Sequence, residues 1–290
     1  VKILASNPKA LNGIMDIDGV GGAGKIVQEN NGVGLVDAEV DNLYNLIFFP
    51  DVPGAGDWTW LYENFDFSKF DSFIDSSNKT RYGNKIEAAS IDIQGTGGIP
   101  TNKNQSLKNF GLTMNDTKLI SSGTMNLSGQ GGDGGQSIAG INIKDATLTS
   151  SGDTSIIGIA GEGDRVVKGE GIIFDSSILT VSSANQIELT GTGSGVDTDN
   201  QIKKVNRLER GQGIVLQNSS ITALGSSPNI KIQGTGGEAE DKINSKDNTG
   251  IKITSSTINS EDVGGNHVYV GKGGLGGKLN TGIVLDTSSI

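Results

Sequence analysis

The chain has no cysteine and one histidine, His267. Exported repetitive proteins and cytosolic proteins both do without thiols, so the first absence assigns no compartment. The second excludes a His-based triad elsewhere in the chain and any multi-His metal centre. Aromatics are scarce, with two Trp, four Tyr and eight Phe in 290 residues. No window approaches ~18 consecutive apolar residues, which excludes a membrane-spanning helix. None carries a sustained stripe at the 3.6-residue helical period. A GxxxxGK[ST] phosphate loop is also missing. Asp and Glu outnumber Lys and Arg, 33 to 23, for a net charge of −10; with no basic stripe, this balance argues against nucleic acid as a partner.

What the chain has in abundance is glycine, 45 residues, placed with order. A Gly followed by an apolar-x-apolar triplet opens units at Gly32, Gly111, Gly140, Gly171, Gly213, Gly250 and Gly282. From Gly111 the steps are 29, 31, 42, 37 and 32 residues. A second signature, apolar-x-apolar with Gly two residues later, falls at Met15/Ile17/Gly19, Ile91/Ile93/Gly95, Met125/Leu127/Gly129, Ile157/Ile159/Gly161, Ile187/Leu189/Gly191 and Ile230/Ile232/Gly234. Fixed order with variable spacing marks one unit stacked many times. Alternation at period two makes its runs strands. Strands too short to form hairpin sheets of their own are satisfied by a parallel β-solenoid, each pairing with its counterpart in the next coil. The expected fold is all-β, three strands per coil, about seven to eight coils. One interior ladder should run Val33, Leu112, Ile141, Ile172, Ile214, Ile251, Ile283, and the next Leu35, Met114, Ile143, Phe174, Leu216, Ile253, Leu285. Glycine, Asn and Ser at the corners are expected to supply left-handed and tight-turn conformations.

Residues 1–40 and 86–290 carry this grammar, and residues 41–85 interrupt it. Val1 to Ala5 reads as a second strand, so the chain is expected to begin in mid-coil; Gly282 to Ile290 ends in mid-coil. Open solenoid ends expose apolar ladders and unpaired backbone, so the expectation is a piece of a longer protein or a subunit covered by neighbours. The interruption holds eleven of the aromatics, and the third strand resumes at Ile86. Within it Trp58, Trp60 and Tyr62 alternate and would share one face, either a contact surface for sugar rings or a partner chain, or the insertion's own small core. In the Gly250 unit hydrophobicity points Val268 and Val270 inward, whereas counting from Gly273 and Gly274 places His267 and Tyr269 there; an unpaired imidazole in an aliphatic ladder favours the valines.

Outward residues of the third strand should stack as Asp16, Asp92, Asn126, Gly158, Glu188, Lys231, Tyr269. Asp16 over Asp92 is the one carboxylate stack derivable, a weak candidate for sugar hydrolysis against the simpler reading of screened surface charge; Glu188 beside Lys231 reads as a surface ion pair. The Gly-rich loops lack the nine-residue period of calcium β-rolls, leaving diffuse calcium association and no cofactor.

The run GIVLQNSSITALGSSPNIKIQGTGG, Gly213 to Gly237, with its GIxL, Ser-Ser-x-Ile and IxLxGxGG segments, resembles the filamentous-haemagglutinin-like exoproteins of two-partner secretion, particularly the repetitive cyanobacterial versions. The resemblance covers residues 1–40 and 86–290. It implies a right-handed parallel β-helix, export to the bacterial outer surface, and adhesive or fibre-forming roles. Ser6 to Gly13 (SNPKALNG) does not match that family's Asn-Pro-Asn-Gly motif, so export by that route stands as analogy. The expected function is a non-enzymatic extracellular adhesin or filament segment, the insertion its contact module, with further coils or copies end to end and surface glycans as partners. A β-helix polysaccharide hydrolase or lyase and a phage or virus fibre are the alternatives.

Overall fold

The computed structural model describes residues 2–4, 9–20, 33–36, 72–74, 80–82, 84–98, 108–133, 136–162, 165–182, 186–195, 207–225, 228–239, 246–260, 265–275 and 280–290. No helix occurs among them, and every strand pair is parallel except one hairpin, Ser72–Ile74 with Thr80–Tyr82. First strands form an eight-stranded sheet in which Val33, Leu112, Ile141, Ile172, Ile214, Ile251 and Ile283 stand in one file. Leu35, Met114, Ile143, Phe174, Leu216, Ile253 and Leu285 form the second file, as expected. Second and third strands make a twelve-stranded sheet. Its two columns meet in the strand Asn84–Thr96, whose first half pairs with Thr117–Ser121 and whose second half pairs with Met125–Gln130. The parallel solenoid thus encloses one narrow aliphatic core, with Ile86, Ile93, Leu148, Ile156, Phe174 and Leu216 at or near zero exposure. Burial of such chains supplies roughly 25 cal/mol per Å².

Two assignments move. Lys2–Leu4 pairs with Val33–Val36, so it is a first strand and not a second. Residues 84–88 pair as a second strand, so the coil resumes there and not at the third. Ile86 lies opposite Leu119, buried in the interior of the second-strand column.

The corner between third and first strands explains the glycines. At Gly129, Gly158, Gly191, Gly234 and Gly271 an added Cβ would fall well inside van der Waals contact with the carbonyl oxygen of Gly140, Gly171, Gly213, Gly250 and Gly282 respectively. The backbones approach so closely that no side chain fits. Left-handed conformation is not the reason, because Gly195 is the one described glycine with positive φ. The left-handed positions belong instead to Asp116, Asp145, Ser176, Asn218, Ser255 and Thr287, at the corner between first and second strands, with φ of 47–53°. Short polar side chains tolerate this region by bonding locally.

Next to that corner the buried Ser of the Ser-Ser-x-Ile motif forms an internal ladder. The Ser177 amide donates to Ser219 Oγ (3.1 Å) and the Ser219 amide to Ser256 Oγ (3.1 Å). Each hydroxyl donates in turn to the carbonyl two residues back, Asp175, Gln217 and Thr254. Buried backbone at a sharp bend is thereby satisfied coil by coil.

The two corners respond oppositely to substitution. Gly191→Ala should lower unfolding free energy by about 1–3 kcal/mol, whereas Ser176→Gly, relieving a left-handed residue, should leave it unchanged or raise it by up to about 1 kcal/mol. Urea denaturation of both variants checks the order.

Candidate functional site

The corner glycines set the third-strand register, in Gly-Ile-Ala-Gly at 158–161 as in Gly-Lys-Gly-Gly at 271–274, and they override hydrophobicity in two coils. Gly158 stands opposite Gly129 and Gly191, which places Thr154 and Ile156 inside. Thr154 is buried with no hydrogen-bond partner for its hydroxyl, and Ile157 is turned out, 41% exposed. Placing Ile157 and Ile159 inside was therefore a three-residue slip, and the outward column carries Ser155 where Gly158 was expected. In the Gly250 unit Gly271 pairs with Gly234, which puts His267 opposite Ile230 and Tyr269 opposite Ile232. Val268 and Val270 face outward, 46% and 49% exposed. The valine reading fails, and its premise fails with it. His267 Nε2 lies 3.1 Å from Ser260 Oγ, and the Tyr269 hydroxyl lies 3.4 Å from His267 Nδ1, the rings meeting edge to face. Tyr269 packs on the core, and burial pushes its phenol up to about 12.

Asp16 and Asp92 are brought together in register on the outward third-strand face, with Asn126 next in line. Gln94 Nε2 donates to Asp92 Oδ1 at 3.4 Å. Asp18, two residues on, shares the outward face opposite Gln94; among the described residues no group of three or more His, Cys, Asp or Glu could hold a metal. Glu188 and Lys231 form the expected ion pair, 2.9 Å; both are about one-third exposed, so it adds little stability. Trp58, Trp60 and Tyr62 lie outside the described residues. No helix among the described residues is long and apolar enough to cross a membrane.

The most unusual chemistry lies where sequence reasoning placed only a loop. Arg165–Lys168 and Arg207–Arg210 form a fourth, two-stranded parallel ladder ahead of the first strands. It is held by a second small core of Ile138, Val166, Leu208 and Ala239. Beneath it sits Glu170, 2% exposed, with Oε1 3.9 Å from Arg210 Nε and Oε2 without a partner. Desolvation pushes this carboxyl up to about 7, against the opposing pull of Arg210 and Lys168. One coil on, Gln212 Nε2 donates to Asp247 Oδ2 (2.7 Å), Thr249 Oγ1 to Asp247 Oδ1 (2.6 Å), and Lys252 Nζ lies 3.2 Å from Asp247 Oδ2. Asp247 is fully satisfied and Glu170 is not. The signal was present in the chain as Lys168-Gly-Glu-Gly-Ile172 and Arg210-Gly-Gln-Gly-Ile214, a basic residue at a constant distance from the first strand.

No protein-family model, curated protein or solved structure matches the chain. Its chemistry rests on the residues alone.

Glu170 makes stability depend on pH. Its carboxyl ionises near 4.5 ordinarily and near 7 when folded, so the folded chain holds the proton more tightly. Stability is fully present below about pH 4.5 and is lost as pH rises through 7, by roughly 3 kcal/mol. Denaturant midpoints measured from pH 4.5 to 8 should fall in the parent chain and stay level in Glu170→Gln.

Proposed function

We propose that the chain is a segment of a non-enzymatic extracellular solenoid, a surface adhesin or filament-forming stalk of the bacterial outer surface. In this reading it is a right-handed β-helix of seven to eight coils with the insertion as contact module. One observation carries the proposal. The in-register ladder runs through all eight first strands, and the interior is filled by aliphatic side chains. Such a body is a stiff rod that gains length by adding coils at about 4.8 Å each, and its working surface is its outside. At the last first strand the ladder residues Ile283 and Leu285 are 37% and 54% exposed.

Asp16 opposite Asp92 keeps a second reading in view, a β-helix polysaccharide hydrolase, since two carboxylates about 5 Å apart suit a retaining mechanism. Against it stands the open strand surface on which Asp16 is exposed.

Negative-stain electron microscopy should find rods that lengthen end to end as concentration rises; single particles at all concentrations would contradict the filament role. Incubation with plant and bacterial polysaccharides should release no reducing ends. Release that disappears in an Asp16→Asn, Asp92→Asn double variant would make the chain an enzyme.

A further inference from the structure

Although the chain is acidic and shows no basic stripe in linear order, its fold assembles one. Lys108, Ser137, Lys168 and Arg210 pair in a single row across successive coils at the entrance to the first strands. Arg165 lies opposite Arg207 on the same two strands. Lys108, Lys168 and Arg210 are exposed. Like charges directly opposite on neighbouring strands repel, and the interior does little to relieve the Lys168–Arg210 pair. Lys168 has no ion-pair partner among the described residues, and Arg210 reaches only Glu170, at 3.9 Å. Glu170 keeps its proton to near neutrality because it is buried, so it offers the pair less than a full negative charge. Asp247, next along the row, is already engaged by Gln212, Thr249 and Lys252. The counter-charge that the Lys168–Arg210 pair lacks inside can come from outside.

We propose that the Lys108–Ser137–Lys168–Arg210 row binds a linear acidic polysaccharide lying along the solenoid axis. Lys168 and Arg210 stand one coil step apart, about 4.8 Å, and Lys108 two steps from Lys168; a uronate chain carries one carboxylate per sugar ring, a spacing of the same order as one step. Arg210 offers a planar fork suited to a carboxylate, Lys168 and Lys108 point charges, and Ser137 a hydroxyl for the polymer's own hydroxyls. A nucleic acid fits less well. Phe110, the aromatic nearest in sequence to the row, is buried, so that ring offers no platform for base stacking. A net charge of −10 also repels a polyanion as densely charged as a duplex. The inference rests on the adhesive reading only in taking an extracellular polymer as the partner.

The test measures binding of fluorescent polygalacturonate oligosaccharides to the full chain at low salt, with dextran of equal length, duplex DNA and anionic phospholipid vesicles alongside. Polygalacturonate should bind and dextran should not, with affinity falling as salt rises. A Lys108→Gln, Lys168→Gln double variant, both changes on exposed side chains, should weaken binding about tenfold or more, and Lys168→Glu should abolish it. Lys144→Gln, on the first-strand face, should stay within roughly twofold. Circular dichroism confirms that each variant is folded. The proposal is overturned if polygalacturonate does not bind, if the double variant binds it as tightly as the parent, or if DNA or vesicles bind more tightly than it does. Polygalacturonate binding by chains that never form rods would sink the filament role and leave this site standing.

Discussion

Where each third strand turns into the next first strand, two stretches of backbone touch without room for a Cβ between them. That contact, Gly129 against Gly140, Gly191 against Gly213, Gly234 against Gly250, sets the cross-section of the solenoid and the vertical alignment of its coils. Side chains then take the places left to them. In most coils those places suit aliphatics, and Ile141, Ile172, Ile214 and Ile251 stack as one column. In two coils they do not, and the backbone still prevails. Burying Thr154 and exposing Ile157 costs a few kcal/mol at most, whereas a shifted register would separate glycine from glycine at every contact of that coil and push side chains into carbonyl groups.

The other sharp corner is solved by polar chemistry. A left-handed Asp, Asn, Ser or Thr makes the bend, and the Ser177–Ser219–Ser256 ladder bonds the amides that the bend takes out of the sheet. One turn of the coil therefore contains a dry corner made by the absence of side chains and a hydrogen-bonded corner made by short ones. The molecule's unusual composition follows from this pair, as does its stiffness. With a core this narrow and filled, the outward columns are the surface the described coils present.

Much of this was legible in the chain. The two interior files on the first strand read straight from the Gly-apolar-x-apolar spacing, because that spacing lies within one strand and loops cannot disturb it. The third strand was harder: an apolar-x-apolar pair recurs by chance, as at Ile157 and Ile159, and only matching both Gly158 and Gly161 to Gly129 and Gly132 discriminates between registers. Val268 and Val270 misled for the same reason, since a hydrophobicity argument weighs one side chain and the register is set by several backbone contacts. The basic row was hidden because its members are some thirty to forty residues apart; the bridges from Lys108 through Ser137 to Lys168 and the pairing of Arg165–Lys168 with Arg207–Arg210 unite them. Glu170 sits beneath a second small core that no local pattern announces.

Since register by glycine contact is the premise on which every column depends, the most direct check is chemical cross-linking in a chain that has no cysteine of its own. Gln233 and Val270 face outward on adjacent third strands and are Cα partners, a separation that a disulfide spans. A Gln233→Cys, Val270→Cys variant should therefore close an intramolecular disulfide under mild oxidation, while Gln233→Cys with Tyr269→Cys should not. Efficient closure of the Tyr269 pair and failure of the Val270 pair would show that the valines lie inside and that glycine contact does not set the register.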